Sequence, residues 1–382
     1  MIKTKFQDII GTKYPIIQAG MGPYSTTELC VAVAKAGALG IISTIGMAAG
    51  TRKRQTAAPS SAARVFGTGT PKEIIKRAIN HVITELRDYP DAVFGVNCPV
   101  SVEFLFAAKP LIEGTIETIK ENEEVAEKLK VIITSAGDPL PWAIDAKAKG
   151  AKKAYIPIKE MESITWCHVV PSVRTAQRVE KADADVIIAS GREGGAHCAW
   201  RDVSSLVLLP EVVKTVKKPV VGAGGFADGA SLAAALALGA IGVQMGTRFI
   251  ATQESDFQQS WKEKLVRSAE VDTLVGRGIF GPMRFVRSPQ TLKIVDATIK
   301  GASELFKGNP VETTSEILGL EMEGLDGIYA EDDEKAGYLG GVVTGRIHSI
   351  PTASELIQSI MTEAEEIIKN LPQKVLAKEV IH

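Results

Sequence analysis

The sequence has little of several features that mark particular classes of protein. Its 382 residues include four cysteines, and no two of them form a CxxC pair or show metal-finger spacing. The 44 basic and 45 acidic residues nearly cancel, so no excess positive charge is available to bind nucleic acid. No apolar run is typical of a signal peptide or a membrane span, since the most apolar stretch, Gly229–Met245, is interrupted by glycines. These absences predict a cytoplasmic protein with reduced thiols, no metal site, and no nucleic-acid or membrane partner.

A short apolar run followed by a helical pattern recurs along the chain. Continuous Val and Ile, without alternation, indicate strands that are buried on both faces, as in a parallel sheet. Eight such units predict an α/β fold of the (β/α)8 TIM-barrel class rather than an open sheet. The predicted strands are Tyr14–Ala19, Ala38–Ser43, Ala92–Asn97, Lys130–Thr134, Trp166–Pro171, Asp185–Ser190, Pro219–Ala223 and Ala240–Met245.

Helical patterns fill most of the intervals, and several begin at Ser, Asp or Pro, which are N-terminal signals. They are Ser25–Ala36, Pro71–Asp88, Ile112–Lys128, Pro141–Lys149, Ser172–Lys181, Leu206–Lys217 and Asp228–Leu238. The resulting plan has a barrel at 1–250, a C-terminal lid or cap at 251–349 and a closing segment at 350–382. Insertions are expected near 44–69 and 151–164, the second of which contains a possible ninth strand, Lys153–Ile158. The closing segment contains an amphipathic helix, Thr352–Leu371.

Glycines at the ends of the seventh and eighth strands indicate a phosphate site. Gly224 and Gly225 follow the seventh strand, and Gly246 with Thr247 follows the eighth. In barrels of this class the loops after these two strands often bind phosphate. Glycine lets backbone N–H groups approach a phosphate without a Cβ in the way, and the start of the Ala-rich helix is expected to add its positive end. The pattern alone leaves open whether the phosphate belongs to FMN, a sugar phosphate or a nucleotide.

A second signal lies where the sixth strand ends, in the glycine-rich stretch GREGGAH at 191–197. It carries Arg192, Glu193 and His197 to the barrel face where catalytic residues lie in this fold. An imidazole exchanges protons near neutral pH, which makes His197 the candidate catalytic residue. We assign no chemistry to Arg192 and Glu193.

Together these stretches resemble the nitronate monooxygenase (2-nitropropane dioxygenase) family and the related flavin-dependent enoyl-acyl-carrier-protein reductases. The resemblance also includes PIIQAGMG at 15–22, GVN at 95–97 and AGYLGGVVTGRI at 336–347. It covers nearly the whole chain, with poor matches at 44–94 and 151–164. The family turn usually ends Gly-Gly-His, whereas Ala196 precedes His197 here.

The resemblance implies an FMN cofactor and assigns roles to the matching positions. The backbones of Ala19, Gly20 and Met21 would lie along the flavin, and Asn97 would hydrogen-bond its ring system. His197 would face the substrate. The phosphate would be held by Gly224, Gly225, Gly246 and Thr247. Gly195 and Gln244 complete the expected site, although Gln244 points either into the barrel core or toward the cofactor.

The resemblance leaves several functions open. The first is a monooxygenase that oxidises alkyl nitronates with dioxygen. The second is a reductase that takes electrons from NADH or NADPH and acts on enoyl thioesters or quinones. A third is a flavin-binding module without turnover, in which Ala196 has displaced His197. A purine-nucleotide dehydrogenase is set aside, because no cysteine has the Gly-Ser-x-Cys-Thr context of its nucleophile.

Other side chains have simpler interpretations. Cys98 and Cys198 are expected to be buried, inert thiols. Tyr24, Trp166 and Trp200 are expected to pack, although they could line a substrate pocket. The basic stretch Arg52–Arg54 is either solvated or contacts a phosphate of NADPH or of a carrier. A small-molecule substrate and a possible homo-oligomer complete the expectations.

Overall fold

The architecture is a closed barrel of eight parallel strands surrounded by helices. The computed structural model describes residues 2–47, 61–200, 203–279, 281–307 and 311–376. The barrel strands are β1 (Ile16–Gln18), β2 (Gly40–Ser43), β3 (Phe94–Pro99), β4 (Leu129–Ser135), β5 (Thr165–Val170), β6 (Val186–Ser190), β8 (Val220–Ala223) and β9 (Gly242–Met245). All eight fall on the predicted apolar runs, so the strand prediction is confirmed.

The sheet closes on itself. Hydrogen-bonded neighbours follow the order β1-β9-β8-β6-β5-β4-β3-β2, and a parallel bridge joins Ile17 to Leu39, just before β2. Backbone hydrogen bonds from Leu39 to Ile16 (2.9 Å) and from Gln18 to Leu39 (3.0 Å) complete this seam. The predicted TIM-barrel class is therefore confirmed.

Helices cover the outside of the barrel and continue beyond it. The α-helices are α1 (Lys5–Ile10), α2 (Thr27–Lys35), α3 (Ser61–Phe66), α4 (Pro71–Glu85), α5 (Leu105–Glu121), α6 (Glu123–Lys128), α7 (Val173–Ala182), α8 (Ser205–Thr215), α9 (Gly229–Ala237), α10 (Thr247–Ile250), α11 (Gln259–Arg267), α12 (Pro289–Lys300), α13 (Ser303–Phe306), α14 (Ser315–Tyr329) and α15 (Ala353–Val375). Within the part of the chain that the structure describes, none of these helices has the length and apolar character of a membrane span.

Two helix predictions need correction. The helix predicted over Pro141–Lys149 is wrong: a short 3-10 helix, Leu140–Trp142, is followed by turns. Regular helix is interrupted there because Ala143 is extended and Asp145 is left-handed, with φ 54°. The predicted helix Ile112–Lys128 is two helices, α5 and α6, because Asn122 is extended and caps the second one.

The two expected insertions differ in how far they can be described. The possible ninth strand, Lys153–Ile158, is irregular chain that runs into a 3-10 helix at Ile158–Glu160. Of the insertion near 44–69, a 3-10 helix at Ile45–Met47 and α3 are described. Residues 48–60, including Arg52–Arg54, lie outside the described residues.

Two apolar layers hold the barrel together. The interior layer includes Ile17, Ile41, Val131 and Ile188, and an unpredicted helix, α1, adds Phe6 to it. A larger layer fills the space between the strands and the surrounding helices. Because α1 packs at the amino-terminal end of the barrel, the opposite end remains available for a ligand.

The segment after the barrel builds a small antiparallel sheet of its own. Strands β10 (Thr273–Gly278) and β11 (Gly281–Val286) form a hairpin, and β11 pairs with β7 (Ala196–His197) from the barrel. We call these three strands the cap sheet. The expected role of residues 251–349 as a lid stays a prediction. Helix α15 extends the predicted amphipathic helix Thr352–Leu371 and packs against α9.

Two glycine substitutions are predicted to change the stability in opposite directions. One glycine lies in the contact between α9 and α15, and the other lies on an exposed helix face. A Cβ on Gly229 would lie 2.5 Å from backbone atoms of Ala364 and Ile360, so Gly229→Ala forces the helices apart. We expect it to lower the free energy of unfolding by about 1–3 kcal/mol. Gly319 in α14 is exposed and has open space around it, so Gly319→Ala should stabilise by about 0.5–1 kcal/mol. Urea unfolding of both variants tests the pair, and equal effects would contradict the packing assignment.

Candidate active site

All of the predicted site residues line one cavity. It has a volume of about 300 Å³ and lies at the carboxyl ends of the barrel strands. Its lining includes Ala19, Gly20, Met21, Asn97, Gly195, His197, Gly224, Gly225, Gln244, Gly246 and Thr247. The structure therefore brings together residues that are up to 228 positions apart, from Ala19 to Thr247.

The loop after β8 has the backbone geometry that only glycine adopts easily. Gly224 and Gly225 have φ angles of 78° and 89°. A Cβ on Gly224 would lie 2.5 Å from the carbonyl oxygen of Gly191, so the two loops touch through backbone. The resulting surface exposes backbone beside the cavity, which is the shape that a phosphate cradle requires.

The start of the helix that follows this loop is capped by side chains. The side chain of Asp228 caps α9 by accepting from Ser231 N (2.9 Å), and Glu363 accepts from Gly229 N (2.7 Å). These two carboxylates occupy the first donors of α9 and weaken its positive end, although Asp228 also pairs with Arg346. On this side of the cavity, the donors that remain are backbone groups of the glycine loop and of Gly246 and Thr247 after β9.

The ends of β1 and β3 meet at a close backbone contact. A Cβ on Gly20 would lie 2.6 Å from Cβ of Asn97, so glycine is required there. The Asn97 amide points along the neighbouring strand ends and donates to Ile133 O (3.3 Å) and Ser135 Oγ (3.5 Å). Gln244 on β9 lines the cavity, which decides between its two predicted orientations.

The loop Gly191–His197 is held by backbone and carboxylate hydrogen bonds. Both carboxylate oxygens of Glu193 accept from Ser205 N at 3.0 Å, which ties the loop to the start of α8. The carbonyl of Arg192 accepts from the buried guanidinium of Arg284 (2.9 Å). Glu193 and Arg192, to which sequence analysis assigned no chemistry, thus fix the loop that carries His197.

The pairing of β7 with β11 sets the position of His197. His197 lies opposite Met283, and Ala196 lies opposite Arg284. Ala196 has φ 59°, a left-handed conformation that glycine adopts at no cost. Although alanine occupies this strained position, the strand register keeps His197 on the cavity wall.

Burial makes His197 a neutral imidazole. Desolvation, and after it the positive charge of Arg277, lower its pKa to about 4, while Glu103 opposes the shift. Arg277 lies on β10, and its Nε is buried without a hydrogen-bond partner among the described residues. At neutral pH, His197 can therefore accept a proton or hydrogen-bond an anion without being charged beforehand.

Several lining residues were not singled out from the sequence. Ser135 is the last residue of β4 and Ala136 follows it, whereas Trp261 and Leu339 come from the segment beyond the barrel. Gly341 N donates to Thr247 Oγ1 (2.9 Å), which explains why the AGYLGG stretch lies at the site. The repeated glycines of that stretch were a signal, but they did not show which strand end they approach.

The cysteines and aromatic residues considered in the sequence analysis differ in where the structure places them. Cys98 is buried and its pKa is raised to about 12 by desolvation, so it is inert at neutral pH as predicted. Cys198 is half-buried and lines the cavity beside His197, so its predicted burial is wrong. Trp166 and Tyr24 are buried in packing, the latter against Phe257 at 4.7 Å between ring centroids.

Known proteins resemble the chain over most of its length. The profile of the nitronate monooxygenase family matches residues 3–363. A probable nitronate monooxygenase of Staphylococcus saprophyticus is 30% identical over 73% of this chain and 77% of its own length. An octahydroindene-carboxyl-CoA dehydrogenase of Rhodococcus jostii is 28% identical over 95% of this chain and 96% of its own length.

Solved structures agree on the fold. FabK of Thermotoga maritima superposes with a TM-score of 0.73 at 30% identity, covering 98% of this chain and all of that one. A nitroalkane oxidase of Streptomyces ansochromogenes shares the fold, with a TM-score of 0.69 at 21% identity over 96% of this chain and all of that one. The profile match over almost the whole chain, together with the geometry of the cavity, shows that the protein belongs to the nitronate monooxygenase family and is a flavin-dependent oxidoreductase.

Proposed function

We propose that the protein binds FMN in this cavity and oxidises alkyl nitronates, with dioxygen as the acceptor. The observation that carries the proposal is the cavity itself, which joins the glycine cradle after β8 and β9 to His197. The family match and the Staphylococcus saprophyticus relative support the choice of nitronate as substrate.

The residues present fit an FMN molecule. Gly224 and Gly225 expose backbone N–H groups in left-handed geometry, and Gly246 with Thr247 adds donors from the next strand end. The cavity continues from this cradle across the barrel to Asn97, whose amide would hydrogen-bond the flavin ring. When bound, FMN supplies the ring that accepts electrons from the substrate.

His197 would hold the substrate and handle its proton. A neutral imidazole can take a proton from the carbon of a nitroalkane or donate a hydrogen bond to a nitronate oxygen. An anion beside the ring would stabilise its protonated form and raise its pKa, so binding makes His197 a stronger base. The nearby charge of Arg277 also favours an anionic substrate.

A second candidate function is a reductase that takes electrons from NADH or NADPH and acts on an enoyl thioester. The observation favouring it is that proteins not named as monooxygenases match the chain over nearly its full length. The CoA dehydrogenase of Rhodococcus jostii matches over 95% of this chain and FabK of Thermotoga maritima over 98%. The third alternative, a flavin-binding module without turnover, assumed that Ala196 displaces His197 from the site. His197 lines the cavity, which does not support that assumption.

We predict that Gly246→Ala weakens FMN binding without unfolding the protein. Gly246 has φ −106°, which alanine tolerates, and the nearest atom to its added Cβ is Met21 Sδ at 3.5 Å. The new methyl group would therefore enter the cavity at the expected phosphate. FMN affinity should fall roughly tenfold or more, about 1.4 kcal/mol, with the thermal midpoint of the FMN-free protein unchanged. Unchanged affinity, measured by flavin fluorescence, would remove the phosphate from this position.

We expect His197→Asn to retain FMN but to react slowly with nitronate. In an anaerobic titration, an alkyl nitronate should bleach the flavin absorbance of the wild type, whereas NADH and NADPH should not. The variant should be bleached about 100-fold more slowly or worse, because proton transfer by a positioned side chain contributes about 10²–10⁴-fold. Rapid bleaching by a nicotinamide would favour the reductase, and a variant as fast as the wild type would exclude His197 from the chemistry.

We predict that Arg277→Met raises the pKa of His197. Removing a nearby positive charge favours the protonated imidazole, so the pKa should move up from about 4 toward the ordinary value. If activity requires neutral His197, the acid limb of the pH–rate profile moves to higher pH in the variant. Arg277→Lys keeps the charge and is the matched control. Titration of the His197 ring by NMR is the measurement, and identical pKa values in both variants would contradict the assignment.

A further inference from the structure

We propose that His168 is a positioning residue that fixes the loop Ser135–Asp138, one wall of the cavity. His168 lies on β5, is 2% exposed, and does not line the cavity itself. It therefore acts through the loop and not by touching a ligand. The expectation that this wall contacts flavin or substrate rests on the function proposed above. The link between His168 and the loop does not depend on that function.

Both ring nitrogens of His168 are engaged. Nδ1 lies 2.6 Å from the hydroxyl of Thr134, and the backbone of Gly137 lies close enough to the ring to raise its pKa, as a carbonyl acceptor does. The Thr134 hydroxyl accepts from Trp166 Nε1 (2.8 Å). Its single proton faces two acceptors, His168 Nδ1 at 2.6 Å and the Cys167 carbonyl oxygen at 3.4 Å, and His168 is the nearer. In this arrangement Nδ1 accepts from Thr134, and the other ring nitrogen donates to the Gly137 carbonyl. The imidazole thus bridges β4 and the loop that leaves it.

The neutral ring suits this bridge. Desolvation lowers the pKa of His168 to about 4, against the opposing effects of the Gly137 hydrogen bond and the charge of Asp138. At neutral pH the ring therefore keeps one acceptor and one donor, the combination that a hydroxyl on one side and a carbonyl on the other require.

The loop needs such support because its own conformation is unfavourable. Ala136 is left-handed, with φ 54°, which costs about 1–2 kcal/mol in an alanine. Gly137 packs directly on the preceding loop, since a Cβ there would lie 2.4 Å from the carbonyl oxygen of Val100. The unit after β4 also lacks the α-helix that follows most of the other strands, and has two short 3-10 helices instead, Leu140–Trp142 and Ile158–Glu160.

The far end of the loop is held by an ion pair. Arg178 on α7 donates to both carboxylate oxygens of Asp138, at 2.7 and 2.6 Å. Asp138 Oδ1 also accepts from Leu140 N (3.1 Å). Because this pair is partly exposed, it ties the loop down only from the outside, and His168 supplies the buried attachment.

The loop connects this bridge to the site. Ser135 and Ala136 line the cavity, and Ser135 Oγ lies 3.5 Å from the amide nitrogen of Asn97. Asn97 is the side chain expected to hydrogen-bond the flavin ring. A displaced loop would therefore disturb both the cavity wall and the orientation of that amide, at the side opposite the phosphate cradle.

His168→Leu tests the proposal, with two comparison variants. Leucine fills a similar volume but leaves the Thr134 hydroxyl and the Gly137 carbonyl without their partner. His168→Gln retains a donor and an acceptor and should restore part of the effect. The control is Trp166→Phe, which removes the hydrogen bond on the other side of Thr134 and leaves the contact to Gly137 in place. Hydrogen–deuterium exchange of the backbone amides of residues 135–143 and the FMN dissociation constant are measured for the full chain.

We expect His168→Leu to speed exchange of the 135–143 amides roughly tenfold and to weaken FMN binding by a similar factor, as loss of one buried hydrogen bond implies. The rate at saturating FMN should stay within about twofold, since His197 is untouched. Trp166→Phe should lower the unfolding midpoint, but it should change neither the exchange of the 135–143 amides nor the affinity for FMN. Unchanged exchange in His168→Leu, or a response no larger than that of Trp166→Phe, would overturn the positioning role.

The same experiment separates this proposal from the proposed function. Faster exchange with unchanged FMN affinity would overturn the link between the loop and the flavin. A wild-type protein that binds no FMN would refute the proposed function, and the exchange data would still decide whether His168 holds the loop.

Discussion

Closure of the parallel sheet places the carboxyl ends of eight strands around one small opening, and the site follows from that constraint. The seam between Ile17 and Leu39 is formed by backbone hydrogen bonds, so it does not depend on particular side chains. Once the ring is closed, the segments after β1, β3, β8 and β9 have no other place to meet. The cavity is therefore a property of the barrel, and its chemistry depends on which residues stand at the strand ends.

The cap sheet adds a second constraint, which acts on the catalytic candidate alone. The loop after β6 is rich in glycine and would be mobile by itself, but its last two residues form a strand with β11. Pairing also explains how alanine is tolerated at a left-handed position: the strand register and the anchors at Glu193 and Arg192 determine the conformation. The segment beyond the barrel thereby fixes the position of His197 and places Arg277 nearby.

Two desolvated histidines, one half-buried on the cavity wall and one fully buried, show how location separates roles. Burial lowers the pKa of both His168 and His197 to about 4. His197 lines the cavity, where a bound anion can change its protonation, whereas His168 is enclosed between Thr134 and the Gly137 backbone and is suited to a fixed role. A perturbed pKa alone would have assigned both to catalysis, and the lining of the cavity distinguishes them.

The sequence by itself determined the barrel, and the residues it predicted for the site all line one cavity. Continuous Val and Ile runs predicted every barrel strand because burial on both faces demands them, and the glycine pairs and GREGGAH were recognisable as local motifs. Sequence did not reveal that Glu363 and Asp228 cap the start of α9, that Arg277 lies near His197, or that His168 supports the loop after β4. Each of these depends on side chains from distant segments meeting in space, and the pattern of a segment carries no information about which distant residue will face it. The failed helix at Pro141–Lys149 has a related cause, since its helical pattern was overridden by the left-handed Asp145 and by the extended backbone around it.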